Sequence, residues 1–268
     1  MQPRLSRSLY TKVEIMSFLP DNTDYLIEVA RGNVPGASLV HKFGRNAAVP
    51  NGSFELISLL SSTASFLAAA TTVRIKAGGN GADDTAGAGA QEITVVGIDD
   101  NLVEVTETIA TAGASASSAT TALFWRIYRI YVSAVGTYGV ANTAAITLEN
   151  SGGGTDLIMI ATGEGQSQYG GFTIATATTG YLMSVLLTVD AAKAADVKMM
   201  TRANFNDVAA PMPGLRLKNY WDGILGTLVF KPRSPIVVSA LTDIWFEAQG
   251  GGAGTEVSVD FELLLIDD

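Results

Sequence analysis

A chain of 268 residues with no cysteine and 28 glycines has room for one large or two modest domains. It offers nothing with which to build a disulfide, a thiolate metal site or a cysteine nucleophile. Its formal charge of −9 speaks against nucleic acid as a partner, and only 16% of residues are charged, few for the amphipathic helices of a helical enzyme.

The charge is uneven along the chain. Residues 1–46 hold Arg4, Arg7, Lys12, Arg31, Lys42 and Arg45 against Glu14, Asp21, Asp24 and Glu28, a net of +2, which leaves −11 for the remainder. The first twenty residues are charged throughout, so no secretory leader is expected. A short alternating piece at 10–18 ends at Pro20, residues 24–30 (DYLIEVA) read as a strand, and RGNVPG is a turn-rich link to SLVHKFGR. A segment so rich in mixed charge, Gly and Pro reads as an extended N-terminal arm over 1–46. It would be ordered by a neighbour through Arg4, Arg7, Arg31, Lys42 and Arg45 and through strand pairing by Tyr25, Ile27 and Val29.

Residues 54–60 and 71–76 are strand candidates, and the Ser- and Ala-rich run 61–70 predicts a helical turn. The run 54–70 is interrupted by Glu55 and by Ser61 to Thr63, so no membrane span is expected. From Lys76 to Arg126 the chain has seven acids and no base. Within it, QEITVVGIDDNLVEVTETIA predicts a hairpin, with Ile93 and Val95 on one face, turn residues at 97–101, and Val103, Val105 and Ile109 resuming a period of two. Glu107 falls on the apolar side of that count, which calls for a bulge near Thr106 or a buried partner. The strand at 123–132 (LFWRIYRIYV) puts Arg126 and Arg129 on opposite faces. One face is then a subunit or domain contact, or a guanidinium stacks on Trp125, Tyr128 or Tyr131, and these five residues form a candidate subunit interface. Further strands are expected at 144–149, 169–175, 181–190, 196–202, 223–230, 242–248 and 256–266, the last with a clean apolar-polar alternation. The fold class is therefore all-β, antiparallel β-sandwich or jelly-roll modules at 47–160 and 161–268 behind the arm.

Chemistry is sparse. GEGQSQYGG misses the nucleophile turn G-x-S-x-G at Tyr169, and the single histidine, His41, lies in the basic lead segment, so Ser167 reads as a turn serine. No catalytic residue, cofactor or metal ligand is assigned. Asp83 with Asp84, and Asp99 with Asp100, could lend oxygens to a cation but match no calcium loop. The glycine runs at 87–89 and 250–254 each lead into a strand, so no helix N-terminus awaits a phosphate. Trp125 with its tyrosines, or Tyr220 with Trp221, could stack a sugar ring, though in strands such side chains more often fill a core.

DYLIEVARGNVPGASLVHKFGRN, DDTAGAGAQEITVVGIDDNLVEVTETI, the aromatic strand, GEGQSQYGGFTIATATTGYL and TDIWFEAQGGGAGTEVSVDFELLLID together resemble virion structural proteins of tailed bacteriophages, as in marine and freshwater phages. The resemblance implies a non-enzymatic building block of the virion, assembled in the host cytoplasm as a homotrimer with other virion proteins as partners. A short tail fibre or tail-attached component, docked on the tail or portal complex by its N-terminal arm, is the leading role. A capsid decoration (cement) protein on the major capsid protein is the second, and a carbohydrate-binding module for a host-surface glycan the third. A polysaccharide depolymerase would need a carboxylate pair in a cleft, and none is marked.

Overall fold

The computed structural model describes residues 24–190 and 192–268. Over them the protein is all-β, with four blade-like antiparallel sheets and one short helix. The arginines at positions 4 and 7 and the alternating piece at 10–18 lie outside the described residues.

The first element departs from expectation. Residues Tyr25–Ala30 form helix α1, not a strand. The Asp24 carboxylate caps it by accepting the Leu26 N–H at 3.0 Å, and Gly32 closes it at a φ of 75°. A six-residue helix is too short to hold alone; α1 lies beside strand β1 (Ala37–Val49) with Glu28 and Val29 buried. The expected β-pairing through Tyr25, Ile27 and Val29 is thus replaced by a helix that exposes Tyr25 and Ile27.

Strand β1 takes the second half of the expected arm into the body. It pairs with β16 (Thr255–Asp267), which pairs with β10 (Thr178–Val189). The far edge of β10 carries β13 (Thr227–Phe230) and β14 (Ile236–Val238) in turn. The facing sheet runs β12 (Arg216–Ile224), β11 (Ala195–Arg202), β15 (Asp243–Gly250). The far edge of β15 is shared by β2 (Glu55–Leu56) and β9 (Gly171–Thr173). Alternation explains why these sheets face each other: Val257, Val259, Phe261 and Leu263 are buried on β16, and Val197 and Met199 on β11. Phe246 and Phe261 meet at 5.1 Å between centroids, and each such side chain contributes about 1.5–3 kcal/mol by leaving water.

Between β2 and β9 the chain leaves to build a second unit. There β4 (Ala90–Asp99) lies between β5 (Glu104–Ala110) and β6 (Phe124–Val135). Its companion sheet is β3 (Val73–Ile75), β7 (Ile146–Asn150) and β8 (Asp156–Ile160). The two enclose a smaller core around Ile93, Val95, Phe124, Ile130 and Leu148. The boundary expected at 46/47 therefore falls inside β1, and the larger core draws on Val49 of β1, Ile57 just after β2, and Ile98 and Tyr128 of the second unit as well as on residues beyond 170.

The hairpin is present with its turn three residues later than expected. Asp99 Oδ1 accepts from the N–H groups of Asn101 and Val103 at 2.9 and 3.1 Å. The β4–β5 register is unbroken from Glu92 to Ile98, so there is no bulge at Thr106. Glu107 has its partner instead: its carboxylate accepts from the N–H groups of Thr121 and Ala122 at 2.7 and 2.8 Å. Residues 61–70 form no helical turn. Phe66 is drawn edge-on to Trp245 at 5.0 Å, and the Leu67 carbonyl accepts from Arg126 at 3.2 Å, so tertiary contacts override the local preference of Ala and Leu.

Candidate functional site

Two places bring chemistry-bearing side chains together: the junction between the units, and the outer edge of the larger one.

At the junction β6 delivers its two arginines to opposite faces. Arg126 is buried, and its Nε lies 3.0 and 3.1 Å from the two carboxylate oxygens of Asp243 on β15. Thr173 donates to the same carboxylate at 2.7 Å. The guanidinium sits between the rings of Phe66 and Phe205, 5.0 and 4.9 Å from their centroids. Arg129 is exposed and stacks over Tyr131 at 4.7 Å. Trp125 is half-buried on Phe205, and Tyr128 is buried against Phe172. Of the five residues expected to form a subunit interface, Arg129 alone is exposed; Trp125, Arg126 and Tyr128 serve the contact between the two units, and Tyr131 lies under the Arg129 guanidinium.

Beside them lies a groove of about 420 Å³, lined by Lys42, Phe43, Glu104, Tyr128 and Arg129 among others. The Lys42 ammonium donates to the Tyr128 carbonyl. Burial, then the nearby Arg129, pushes Lys42 down to about 7, with Glu104 opposing. The Tyr128 hydroxyl donates to Glu104, and burial, followed by that carboxylate, holds the phenol far above its ordinary value. Lys42 is thus turned inward, while Arg45 pairs with Glu256 at 2.6 Å and Arg31 with Glu28 at 3.0 Å. The basic residues expected to dock a partner are each held within the chain, save those outside the described residues.

The other sequence candidates are structural as placed. Ser167 is buried and its hydroxyl accepts the Ile130 N–H at 3.0 Å. His41 stands 3.6 Å from Asp260. Asp83 is buried and accepts from the N–H groups of Ala90, Thr143 and Ala144 at 2.8–3.0 Å, which takes up the oxygens a cation would need. Trp221 turns toward the core, 5.4 Å from Phe230 and 6.3 Å from Phe246. Among the described residues no helix is long and apolar enough to cross a membrane.

The outer edge is the feature that sequence reasoning missed. Met212, Leu215, Leu217, Tyr220, Leu225, Val229 and Val237 are each at least 44% exposed, and all fall within residues 212–237. A cavity of about 110 Å³ opens between β12 and β14 with Arg216 and Lys218 at its rim and Ile236 and Val238 within. The same stretch carries Arg216, Lys218, Lys231 and Arg233 against Asp222 alone, a basic strip on an acidic protein. That local reversal of charge is the signal a charge count by segment would have found.

No protein-family model matches the chain, and no curated protein matches it. Among solved structures the chain is similar to an isomalto-dextranase of Arthrobacter globiformis T6 complexed with panose, at 11% identity and a TM-score of 0.21. The likeness covers 87% of this chain and 35% of that one, and it is too slight to bear on fold or chemistry.

Proposed function

We propose that this protein is a non-enzymatic virion structural component of a tailed bacteriophage, a short tail fibre or tail-attached protein that assembles as a homotrimer. The observation that carries the reading is the apolar, basic strip along β12, β13 and β14. An exposed apolar surface of this kind marks a protein contact, and edge strands left bare invite a partner. Support comes also from the strand order, β1-β16-β10-β13 facing β12-β11-β15 with β2 and β9 along the far edge of β15, which we read as a jelly roll, a scaffold of viral capsid and lectin domains. The second unit is then an insertion into that jelly roll at its second strand.

A capsid decoration protein is the second reading, favoured by the same strip and by the engagement of Arg31, Lys42 and Arg45 within the chain. The sugar-binding reading has less support, since Trp125 and Trp221 pack on Phe205 and Phe230, although Tyr220 is exposed. A depolymerase is disfavoured because Glu104, the single carboxylate lining the groove, is engaged by Tyr128. The test is immunogold labelling of purified particles with antibody to this chain, with binding assays on emptied capsids and on portal–tail complexes. Label on the tail supports the fibre, label over the head selects decoration, and particles that carry none of the protein refute both.

A further inference from the structure

Among the described strands that end their sheets without backbone partners on the outer side are β12 and β5. The backbone hydrogen bonds of β12 go to β11, and those of β5 go to β4. The two edges differ in charge. β12 bears Arg216 and Lys218, with Lys231 and Arg233 following it in the chain. β5 belongs to the stretch between Lys76 and Arg126 that has seven acids and no base; Glu104 at its start and Asp100 in the turn before it are exposed. Each edge also shows apolar side chains to solvent: Leu215 and Leu217 at 57% and 53%, and Val103 at 43%.

Resting on the reading of this protein as a self-assembling structural component, we propose that the β12 edge of one copy pairs with the β5 edge of a second copy, head to tail. The alternatives within a homo-oligomer are poorer. Two β5 edges would bring together strands that carry acids and no base, and two β12 edges would bring together strands of net positive charge; like charges across a strand pair destabilise it. The unlike pairing brings Arg216 and Lys218 to an acidic edge, continues a sheet of one copy into a sheet of the next, and covers Leu215, Leu217 and Val103. A contact between different surfaces closes into a ring when the rotation allows and otherwise propagates. In a closed ring each copy offers one edge and receives the other, so neither of these two edges stays bare.

Sedimentation velocity on the full chain tests this. The wild type is expected to form one discrete oligomer whose dissociation constant rises at least ~10-fold when ionic strength goes from about 0.05 to 0.5 M, as exposed charge pairs are screened. Arg216→Glu with Lys218→Glu, and separately Asp100→Lys with Thr106→Lys, are each expected to give monomer with an unchanged far-UV spectrum; all of these side chains are exposed. The chain carrying both sets should regain the oligomer. Should a double reversal unfold, the single changes Lys218→Glu and Asp100→Lys are read instead, each expected to weaken association several-fold. A wild type that stays monomeric at about 0.2 mM in low salt overturns the pairing, since steering by opposite charge is strongest there. So does an oligomer that responds to changes on one edge alone. A monomer found on particles would sink the pairing and leave the virion reading intact; an oligomer absent from particles would do the reverse.

Discussion

Asp243→Asn is the most informative single change, because it removes one charge from a buried pair that joins the two units. The pair is close, at 3.0 and 3.1 Å, and both side chains are under 10% exposed. At an effective dielectric constant of ~20 such a pair attracts with about 4–5 kcal/mol, and stripping one partner leaves the other charge buried at a cost of about 3–5 kcal/mol. Arg126 would keep three carbonyl acceptors, on Leu67, Trp125 and Phe205, but no counter-charge. For a chain of this size each kcal/mol corresponds to about 2–4 °C, so Tm should fall by roughly 6–20 °C. Urea unfolding followed by tryptophan fluorescence is a suitable assay, since Trp125 and Trp245 report from the two units. Arg126→Met with Asp243→Leu, which removes both charges, should recover most of the loss. A drop under about 1 kcal/mol for Asp243→Asn, or a double variant as unstable as the two singles added together, would refute the clamp, because contacting residues that share a charge pair cannot be additive.

Lys42 makes a pH prediction. Its folded value of about 7 lies below its ordinary 10.5, so between those limits the unfolded chain binds more protons, and stability rises with pH across that window. Lys42→Met should flatten the urea-midpoint profile there and raise the midpoint at pH ~6, where the native chain must bury a charge beside Arg129. Gly44→Ala should be among the worst conservative changes. Its Cβ would stand 2.2 Å from the Gly170 nitrogen and 2.3 Å from the Ile57 oxygen, backbone on both sides, and overpacking of this kind costs about 1–3 kcal/mol or more by chemical denaturation. Asp83→Ala should lose about 2–3 kcal/mol for its charge-assisted bonds to backbone N–H groups. Millimolar Ca²⁺ followed by excess chelator should leave the wild-type Tm in place, and a reversible rise in Tm with Ca²⁺ would contradict that assignment.

The strands that alternate cleanly were legible. β16 is read straight from EVSVDFELLLI because one of its faces lies in the core and the other in water. β12 was not legible, and its burial pattern explains why: it exposes residues on both faces, so Arg-Leu-Lys-Asn-Tyr shows no period-two signal, and the strand exists through its pairing with β11. β8, Asp-Leu-Ile-Met-Ile, is a short apolar run that periodicity cannot assign. Glu107 was legible as an anomaly, but its resolution lies fourteen residues downstream at Thr121, a distance no local pattern spans. The same limit governs the candidate site. The sequence marked Arg126 and Arg129 for opposite faces, and they are, yet nothing local could say that Arg126 meets Asp243, 117 residues away, and so belongs to the fold and not to a subunit contact.

The insertion explains why so much chemistry is spent at the junction. β2 and β9 occupy successive stretches of one edge of β15, at Glu247–Ala248 and at Asp243–Trp245, so the second unit interrupts what would otherwise be a single strand position. Its two connections run side by side: Gly170 N donates to the Ile57 carbonyl at 2.8 Å, while Ile57 N and Gly170 O bond the two sides of Phe246. Gly44 of β1 crosses both where a Cβ would not fit. Two tethers alone would act as a hinge, free to bend in the plane they do not define. Arg126 with Asp243, and Tyr128 packed on Phe172 at 4.5 Å, supply the contacts that remove that freedom. Rigidity of this kind has no use in a chain of independent modules, but it is what head-to-tail closure demands: β12 belongs to one unit and β5 to the other, so the angle between units sets the rotation from copy to copy. Loosening the junction by Asp243→Asn should therefore turn a discrete oligomer into a distribution of sizes in sedimentation, even at temperatures where both units remain folded.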